Sequence, residues 1–237
     1  MKPNKNLLML QQVAKGLAAL KDEVVFVGGV VTSLYVNDPA APPVTASDDI
    51  DCVVKVAGLG EYAKFEDALR KLGFKRPVEE EDQKIICRWD YRGILVDVMP
   101  TDEKILGFSN KWYSDAVQNK VTIKLPDGTP IFIFSTPYFI ATKLEALRGR
   151  GGDDIRLSQD LEDIVSVMDG CTDIEAQLNK APGNVREYFR EEFSRLLKDR
   201  GFLNEAIAGF LQAVRDYPTR SAKMIQIMER LLKDKVG

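Results

Sequence analysis

The pattern of the sequence changes near residue 135, and this change limits the folds that the chain can adopt. Before it, short runs of β-branched and aromatic residues alternate with segments of helical periodicity. After it, apolar residues recur only at helical spacing, beginning with a helix that Ser135 or Thr136 can cap. The sequence therefore predicts an α/β domain over residues 1–135 and a C-terminal helical domain over residues 136–237.

The first part carries the signals of a mixed, twisted sheet with flanking helices. Pro126, Asp127 and Gly128 predict one hairpin, and a second tight turn is predicted near residues 90–91. The predicted strands are 24–27, 50–56, 84–89, 93–99, 121–125 and 129–134. The predicted helices are 7–20, 30–35, 61–72, 110–117, 136–148, 160–168, 184–198, 203–214 and 221–235.

The composition narrows the chemistry. The 237 residues include no histidine, so Ser-His-Asp triads, Cys-His pairs and His-ligated zinc sites are excluded. The 3 cysteines show no metal-ligand spacing, and their odd number argues against a disulfide framework. Because 36 residues are acidic, oxygen-ligated magnesium becomes the natural candidate for a catalytic metal.

Charge and hydropathy indicate a cytoplasmic protein with no membrane partner. The net charge is −3, so the surface as a whole does not attract nucleic acid, although a local basic patch stays open. No apolar run approaches the roughly 20 residues that a membrane span requires. The N-terminal residues lack the long apolar region and cleavage site of a signal peptide, and they are interpreted as the start of a helix.

Two aspartates on one predicted strand carry a clear chemical signal. Asp49 and Asp51 flank Ile50, and alternate residues of a strand face the same side, so both carboxylates project together. Parallel carboxylates repel each other, and a divalent cation between them removes the repulsion. For an isolated pair of this kind, a solvated strand end is the alternative explanation. Removing one acid is expected to relieve repulsion in the cation-free protein.

A third acid lies within an apolar strand. Asp97 interrupts the run 94–99, and an acid in such a place needs a partner. If its strand lies beside that of Asp49, the acids form a cluster suited to two-metal activation of a hydroxyl and to stabilisation of a leaving pyrophosphate. The sequence thus predicts that Asp49, Asp51 and Asp97 bind Mg²⁺, as two ions, with Mn²⁺ as an alternative.

Two glycines after the first strand offer a place for phosphate. Gly28 and Gly29 precede a predicted helix, whose N-terminus would present free N–H groups and the positive end of a dipole. The hydroxyls of Thr32 and Ser33 add donors there. A purely structural strand-to-helix turn is an equally good explanation of the glycines.

The order of these motifs resembles the DNA polymerase β-like nucleotidyltransferase superfamily. There, a Gly-Gly or Gly-Ser turn opens a helix, an Asp-x-Asp pair follows, and a third aspartate comes from a later strand. The second half resembles more narrowly the AbiEii/AbiGii-type nucleotidyltransferases, which carry a Lys-x-x-Ala-x-x-x-Arg helix and then an Asp-x-x-Asp helix. This chain matches those motifs between Lys143 and Arg150 and at Asp160 and Asp163, with a longer connection between them.

The resemblance implies transfer of a nucleoside monophosphate from a nucleoside triphosphate to an acceptor hydroxyl, with release of pyrophosphate. It implies magnesium at the three aspartates, with Asp97 accepting the proton of the nucleophile. It also implies that Lys143 neutralises developing charge, that Asp160 orients Lys143 or acts near the acceptor, and that Arg148 holds phosphate. The alternatives are a surface lysine, a solvated helix end at Arg148, and a structural ion pair between Asp163 and an arginine.

The partners implied by the resemblance are a nucleoside triphosphate, an RNA acceptor such as tRNA, and a cognate antitoxin. In type IV toxin–antitoxin systems, proteins of this family act as toxins. Two other functions stay open: a nucleotidyltransferase that modifies a small molecule such as an antibiotic, and a non-catalytic nucleotide-binding protein on the same fold.

Basic residues of the second half are candidates for contact with a polyanion. One set lies in a short segment and comprises Lys143, Arg148, Arg150 and Arg156. The other set comprises Arg186, Arg190, Arg195, Lys198 and Arg200. The alternative is that these side chains pair on a solvated face with nearby glutamates such as Glu187, Glu191 and Glu192.

Overall fold

The computed structural model describes residues 4–77, 86–150 and 154–233, with the side chain of Arg150 left out. These residues form a mixed α/β fold, as predicted, in two compact units. One unit comprises Met1–Val31 and Thr45–Ser135, and the other comprises Thr32–Val44 and Thr136–Gly237.

A mixed sheet of six strands, counted over the described part of the chain, forms the centre of the first unit. The strands are β1 (Val24–Val27), β2 (Asp49–Val54), β3 (Arg88–Tyr91), β4 (Ile94–Pro100), β5 (Lys120–Lys124) and β6 (Pro130–Phe134). Their order across the sheet is β3-β4-β2-β1-β6-β5. The inner strand β2 pairs in parallel with β4 and antiparallel with β1, which pairs in parallel with β6. The two outer pairs, β3–β4 and β5–β6, are antiparallel.

The helices of the first unit are α1 (Lys5–Leu17), α2 (Leu59–Lys71), α3 (Glu103–Leu106) and α4 (Tyr113–Gln118). The α1 helix starts at Asn4, whose side chain accepts hydrogen bonds from the backbone N–H groups of Asn6 and Leu7. Its apolar residues recur every three or four positions, and the buried ones are Met9, Leu10, Val13, Ala14 and Leu17. Burial of such a face stabilises the helix by about 1.5–3 kcal/mol for each large side chain.

The segment after β1 differs from the prediction. Instead of an α-helix over 30–35, the structure has a 3₁₀ helix at Gly29–Leu34. Valines at two successive positions and a length of six residues give little support to an α-helix, which needs a longer run to repay nucleation. No N-terminus of an α-helix therefore follows Gly28.

The helices of the second unit are α5 (Thr136–Arg150), α6 (Gln159–Gly170), α7 (Ile174–Asn179), α8 (Gly183–Leu196), α9 (Arg200–Leu211) and α10 (Tyr217–Lys233). They lie close to the predicted segments, apart from the short α7, which was not predicted. The Ser158 hydroxyl caps α6 by accepting from the N–H of Leu161. Residues 234 and 235 of the last predicted helix lie outside the described residues.

The segment Thr32–Val44 belongs with these helices, although it was assigned to the α/β domain. The backbone N–H groups of Asn37 and Asp38 both donate to the carbonyl of Gly170 at 2.9 Å. Arg220 of α10 pairs with Asp38 and with Asp169. These contacts join residues between 51 and 182 positions apart, so local pattern could not reveal them.

Across the part of the chain that the structure describes, no helix is both long enough and apolar enough to span a bilayer.

Candidate functional site

The three predicted metal-binding aspartates lie on two neighbouring strands. Asp49 and Asp51 are in β2, and Asp97 is in β4, which runs parallel to β2 with Asp97 directly opposite Asp51. Paired residues of adjacent strands face the same side, and Asp49 is two residues from Asp51, so all three carboxylates are on one face of the sheet. The strand of Asp97 therefore lies beside that of Asp49, which is the condition for the predicted cluster of three acids.

Asp49, Asp51 and Asp97 together form an acidic group, and Arg88 of β3 contacts two of its members. Its Nε and Nη2 atoms donate to Oδ1 and Oδ2 of Asp97, each at 2.8 Å, in the two-pronged geometry typical of arginine and carboxylate. The same Nη2 is 3.2 Å from Oδ2 of Asp49. The Arg88 and Asp97 side chains are only 18% and 11% exposed, whereas that of Asp49 is 33% exposed. In this structure an arginine therefore supplies the counter-charge that the sequence analysis assigned to a metal ion.

Arg88 was not predicted as a site residue, because the turn that follows its strand was predicted two residues too early. The turn lies at Arg92 and Gly93, both at positive φ (56° and 83°), and not at residues 90–91. This turn places Arg88 opposite Asp97, whereas the predicted turn would have placed Lys84 there. Gly93 next to an apolar strand was the signal, since two-residue hairpin turns favour glycine at the second position. Residues 84 and 85 of the predicted strand lie outside the described residues.

Gly28 makes room for one of the acids. Its φ is +74°, and a Cβ atom added there would be 2.1 Å from Oδ2 of Asp51. Only glycine meets both demands, because other residues are strained at this φ and would collide with the carboxylate. The glycine thus lets the Asp51 side chain reach the end of β1. Gly29 begins the 3₁₀ helix, and its contact with phosphate stays a prediction.

The two predicted hydroxyl donors have different surroundings. The Thr32 hydroxyl is buried and donates to Oδ1 of Asp163 at 2.8 Å, so it serves a contact within the second unit. The Ser33 hydroxyl oxygen is also buried, and no partner for it occurs among the described residues. Neither observation tests a role in binding nucleotide.

Lys143 is the centre of a buried ionic cluster in the second unit. Its Nζ is 3.1 Å from Oδ1 of Asp160 and 2.6 Å from Oδ2 of Asp163, and its side chain is 13% exposed. Burial alone would lower the pKa of Lys143, but the carboxylates of Asp163 and Asp160 outweigh burial and raise this pKa above its ordinary value. The lysine is therefore charged, and it is neither a surface residue nor poised as a general base. The partner of Asp163 is this lysine, whereas an arginine was the alternative considered.

Many of the basic residues in the second half pair with acids, as the alternative interpretation expected. Arg148 Nη1 lies 3.2 Å from a carboxylate oxygen of Glu191 and of Glu192. Ion pairs also join Arg156 to Asp154 and Glu205, Arg195 to Glu192, and Arg200 to Glu229. These contacts reduce the positive charge available to a polyanion.

The acidic group has the right donors for magnesium, but its side chains are arranged around Arg88. It offers carboxylate oxygens alone, and these are the ligands that Mg²⁺ prefers. Across residues 4–77, 86–150 and 154–233, no group of three or more acidic or cysteine side chains is arranged to hold a metal ion. The donor chemistry therefore fits the ion, and binding requires the carboxylates to exchange the guanidinium for it.

Comparison with models of known protein families and with curated protein sequences gives no match.

Proposed function

We propose that this protein is a magnesium-dependent nucleotidyltransferase. It transfers a nucleoside monophosphate from a nucleoside triphosphate to an acceptor hydroxyl and releases pyrophosphate. The observation that supports the proposal most strongly is the placement of Asp49, Asp51 and Asp97 on one face of two parallel strands, with Asp51 packed against Gly28. A cytoplasmic location is part of the proposal.

The proposal gives the three aspartates distinct tasks. Asp49 and Asp51 of one strand and Asp97 of the next strand would hold Mg²⁺, and Asp97 would accept the proton of the acceptor hydroxyl. Bound magnesium supplies charge that activates the hydroxyl and stabilises the phosphoryl oxygens. Gly28 keeps the Asp51 carboxylate close to the end of β1, and Arg88 holds the orientation of Asp97 before the ion binds.

The reaction is tested with each labelled nucleoside triphosphate, Mg²⁺ and total RNA. We expect pyrophosphate release with at least one triphosphate and its loss on addition of a chelator. Asp51→Asn should abolish release, whereas Asp48→Asn should retain it, because Asp48 is exposed and pairs with Lys5. Release that persists in Asp51→Asn, or no release with any triphosphate, would contradict the proposal and favour a non-catalytic protein.

The acceptor is proposed from the resemblance to be an RNA such as tRNA, and the protein to be a toxin with a cognate antitoxin. If so, label enters RNA, and activity falls steeply as salt rises, because each phosphate contact releases counterions. Growth inhibition by the expressed protein should be absent in Asp51→Asn.

A small-molecule acceptor is the second candidate, favoured by the pairing of the arginines. Arg148, Arg156 and Arg195 all contact carboxylates, so less positive charge faces an incoming polyanion. This candidate predicts a shallow dependence of activity on salt and no label in RNA.

A further inference from the structure

Arg88 Nη2 lies between two of the carboxylates proposed to bind metal. It is 2.8 Å from Oδ2 of Asp97 and 3.2 Å from Oδ2 of Asp49. A divalent cation shared by these two acids would have to approach the same two oxygens, at about 2.0–2.1 Å for Mg²⁺. The nitrogen and the ion cannot occupy this place together.

We propose that Arg88 is the internal counter-ion of the acidic group and that a divalent cation binds there only by displacing the guanidinium. The proposal rests on the metal site of the proposed function. Displacement breaks the two hydrogen bonds to Asp97 and the contact with Asp49. The free energy lost in this way makes binding of the ion less favourable. The ion-free protein is stabilised by the arginine, and its affinity for metal is correspondingly lowered.

The surroundings of Arg88 hold its backbone in place but allow its side chain to turn towards solvent. Arg76 Nη1 donates to the carbonyls of Ile86 and Arg88, at 2.7 Å and 2.9 Å, and its guanidinium lies over the ring of Trp89. The β3 strand is therefore held at its edge of the sheet. The Arg88 side chain keeps partial contact with solvent, so its flexible stem can turn outward without moving the strand.

Binding of Mn²⁺ alone to the full chain measures this competition directly. We expect Arg88→Met to bind Mn²⁺ about tenfold more tightly than the natural protein, because the competing cation is gone. Arg88→Lys keeps the charge but loses the two-pronged contact, so its affinity should lie between the two. In the absence of divalent cations Arg88→Met should unfold at a lower temperature, and Mg²⁺ should raise that temperature more than in the natural protein.

The matched control is Arg70→Met. Arg70 is an exposed arginine of the same unit whose side chain pairs with Glu66 and Asp67, so this variant makes the same change in net charge away from the three aspartates. Its affinity for Mn²⁺ should equal that of the natural protein. An equal gain in Arg70→Met, or an unchanged or weaker affinity in folded Arg88→Met, would overturn the proposal.

The outcomes separate this inference from the proposed function. Should Arg88→Met fail to fold, the Mn²⁺ affinity of Arg88→Lys decides, and a value no higher than that of the natural protein overturns the proposal. A gain in affinity without pyrophosphate release would support Arg88 as counter-ion and contradict the transferase. Pyrophosphate release by the natural protein, together with unchanged Mn²⁺ affinity in both Arg88 variants, would support the transferase and contradict Arg88 as counter-ion.

Discussion

At the scale of single residues, the contacts of Arg88 change the effect that we expect from removing an acid. The sequence alone predicts that loss of one carboxylate relieves repulsion in the cation-free protein. The structure shows that Asp97 forms two hydrogen bonds with Arg88 and that both side chains are largely buried. We therefore expect the attraction to this arginine to outweigh the repulsion between the acids.

We accordingly expect Asp97→Asn to destabilise the cation-free protein by about 1–3 kcal/mol, because the guanidinium loses a charged partner. Urea unfolding in the presence of a chelator measures the change. Asp48→Asn is the control, since the Asp48 side chain is 97% exposed and its loss should change stability little. A stability of Asp97→Asn equal to or above that of the natural protein would show that repulsion dominates.

A pair of glycine variants tests the contact between Gly28 and Asp51. Both Gly28 and Gly128 have positive φ, at +74° and +84°, but a Cβ on Gly128 meets no described atom within 4 Å. Gly128→Ala should cost about 1–2 kcal/mol for the backbone conformation alone. Gly28→Ala should cost about 1–3 kcal/mol more because the methyl group collides with the carboxylate of Asp51. Equal losses in urea unfolding would mean that Asp51 can turn away without cost.

At the scale of elements, α5 and α6 are joined by the ionic cluster of Lys143, Asp160 and Asp163. A hydrogen bond from Thr32 extends the cluster to the segment Thr32–Val44. Buried carboxylates are costly without a positive partner, so the lysine has a structural task whatever its part in catalysis.

Lys143→Met should destabilise the protein by about 3–5 kcal/mol, because it leaves two buried carboxylates without their cation. Arg148→Met is the matched control on the same helix. It removes an exposed arginine, and Glu192 keeps its pair with Arg195. Thermal unfolding at pH 7 compares the two variants. Similar losses in both would show that burial of the Lys143 cluster adds nothing.

In the hairpin of β3 and β4, the position of the turn decides which residue forms the ion pair with Asp97. Because Arg92 and Gly93 form the turn, the register places Arg88 beside Asp97. A shift of the turn by two residues keeps the same face of the strand but changes which residue meets the acid. The exact position of a glycine thus decides the electrostatics of the site.

At the scale of the whole molecule, the three cysteines are buried thiols distributed over both units. Burial is the largest cause that raises their pKa values, to about 12 for Cys87 and about 11 for Cys171, and the pKa of Cys52 is raised as well. The negative charge of Asp97 adds to the effect at Cys87. The folded protein therefore keeps its thiols protonated near neutral pH.

These pKa values predict a loss of stability in alkali. A raised pKa in the folded state favours folding below the unfolded-state pKa, near 9.0 for a thiol, and that contribution is lost as pH rises towards the folded values of about 11 to 12. The free energy of unfolding should decline above about pH 9, and alkylation at pH 8.5 should be slow until urea is added. Rapid alkylation of the folded protein would contradict this prediction.

Much of the fold was predictable because the local periodicity of apolar residues indicates where strands and helices lie. Alternation over two residues placed Asp49 and Asp51 on one face of a strand, and helical spacing located α5, α6 and α8. The 3₁₀ helix after β1 was not predicted, because a short apolar segment at a strand end satisfies more than one local pattern.

The sequence by itself determined the alternation of strands and helices and the series of helices after residue 135. It also determined that three acids lie on strands and that the chain contains no histidine. Tertiary structure decided which strands are neighbours, so that Asp97 lies opposite Asp51 and Arg88 reaches both Asp97 and Asp49. It also buried Lys143 between two aspartates. The physical reason is that periodicity records which face of an element is apolar, whereas ion pairs between elements depend on register and on contacts between distant residues.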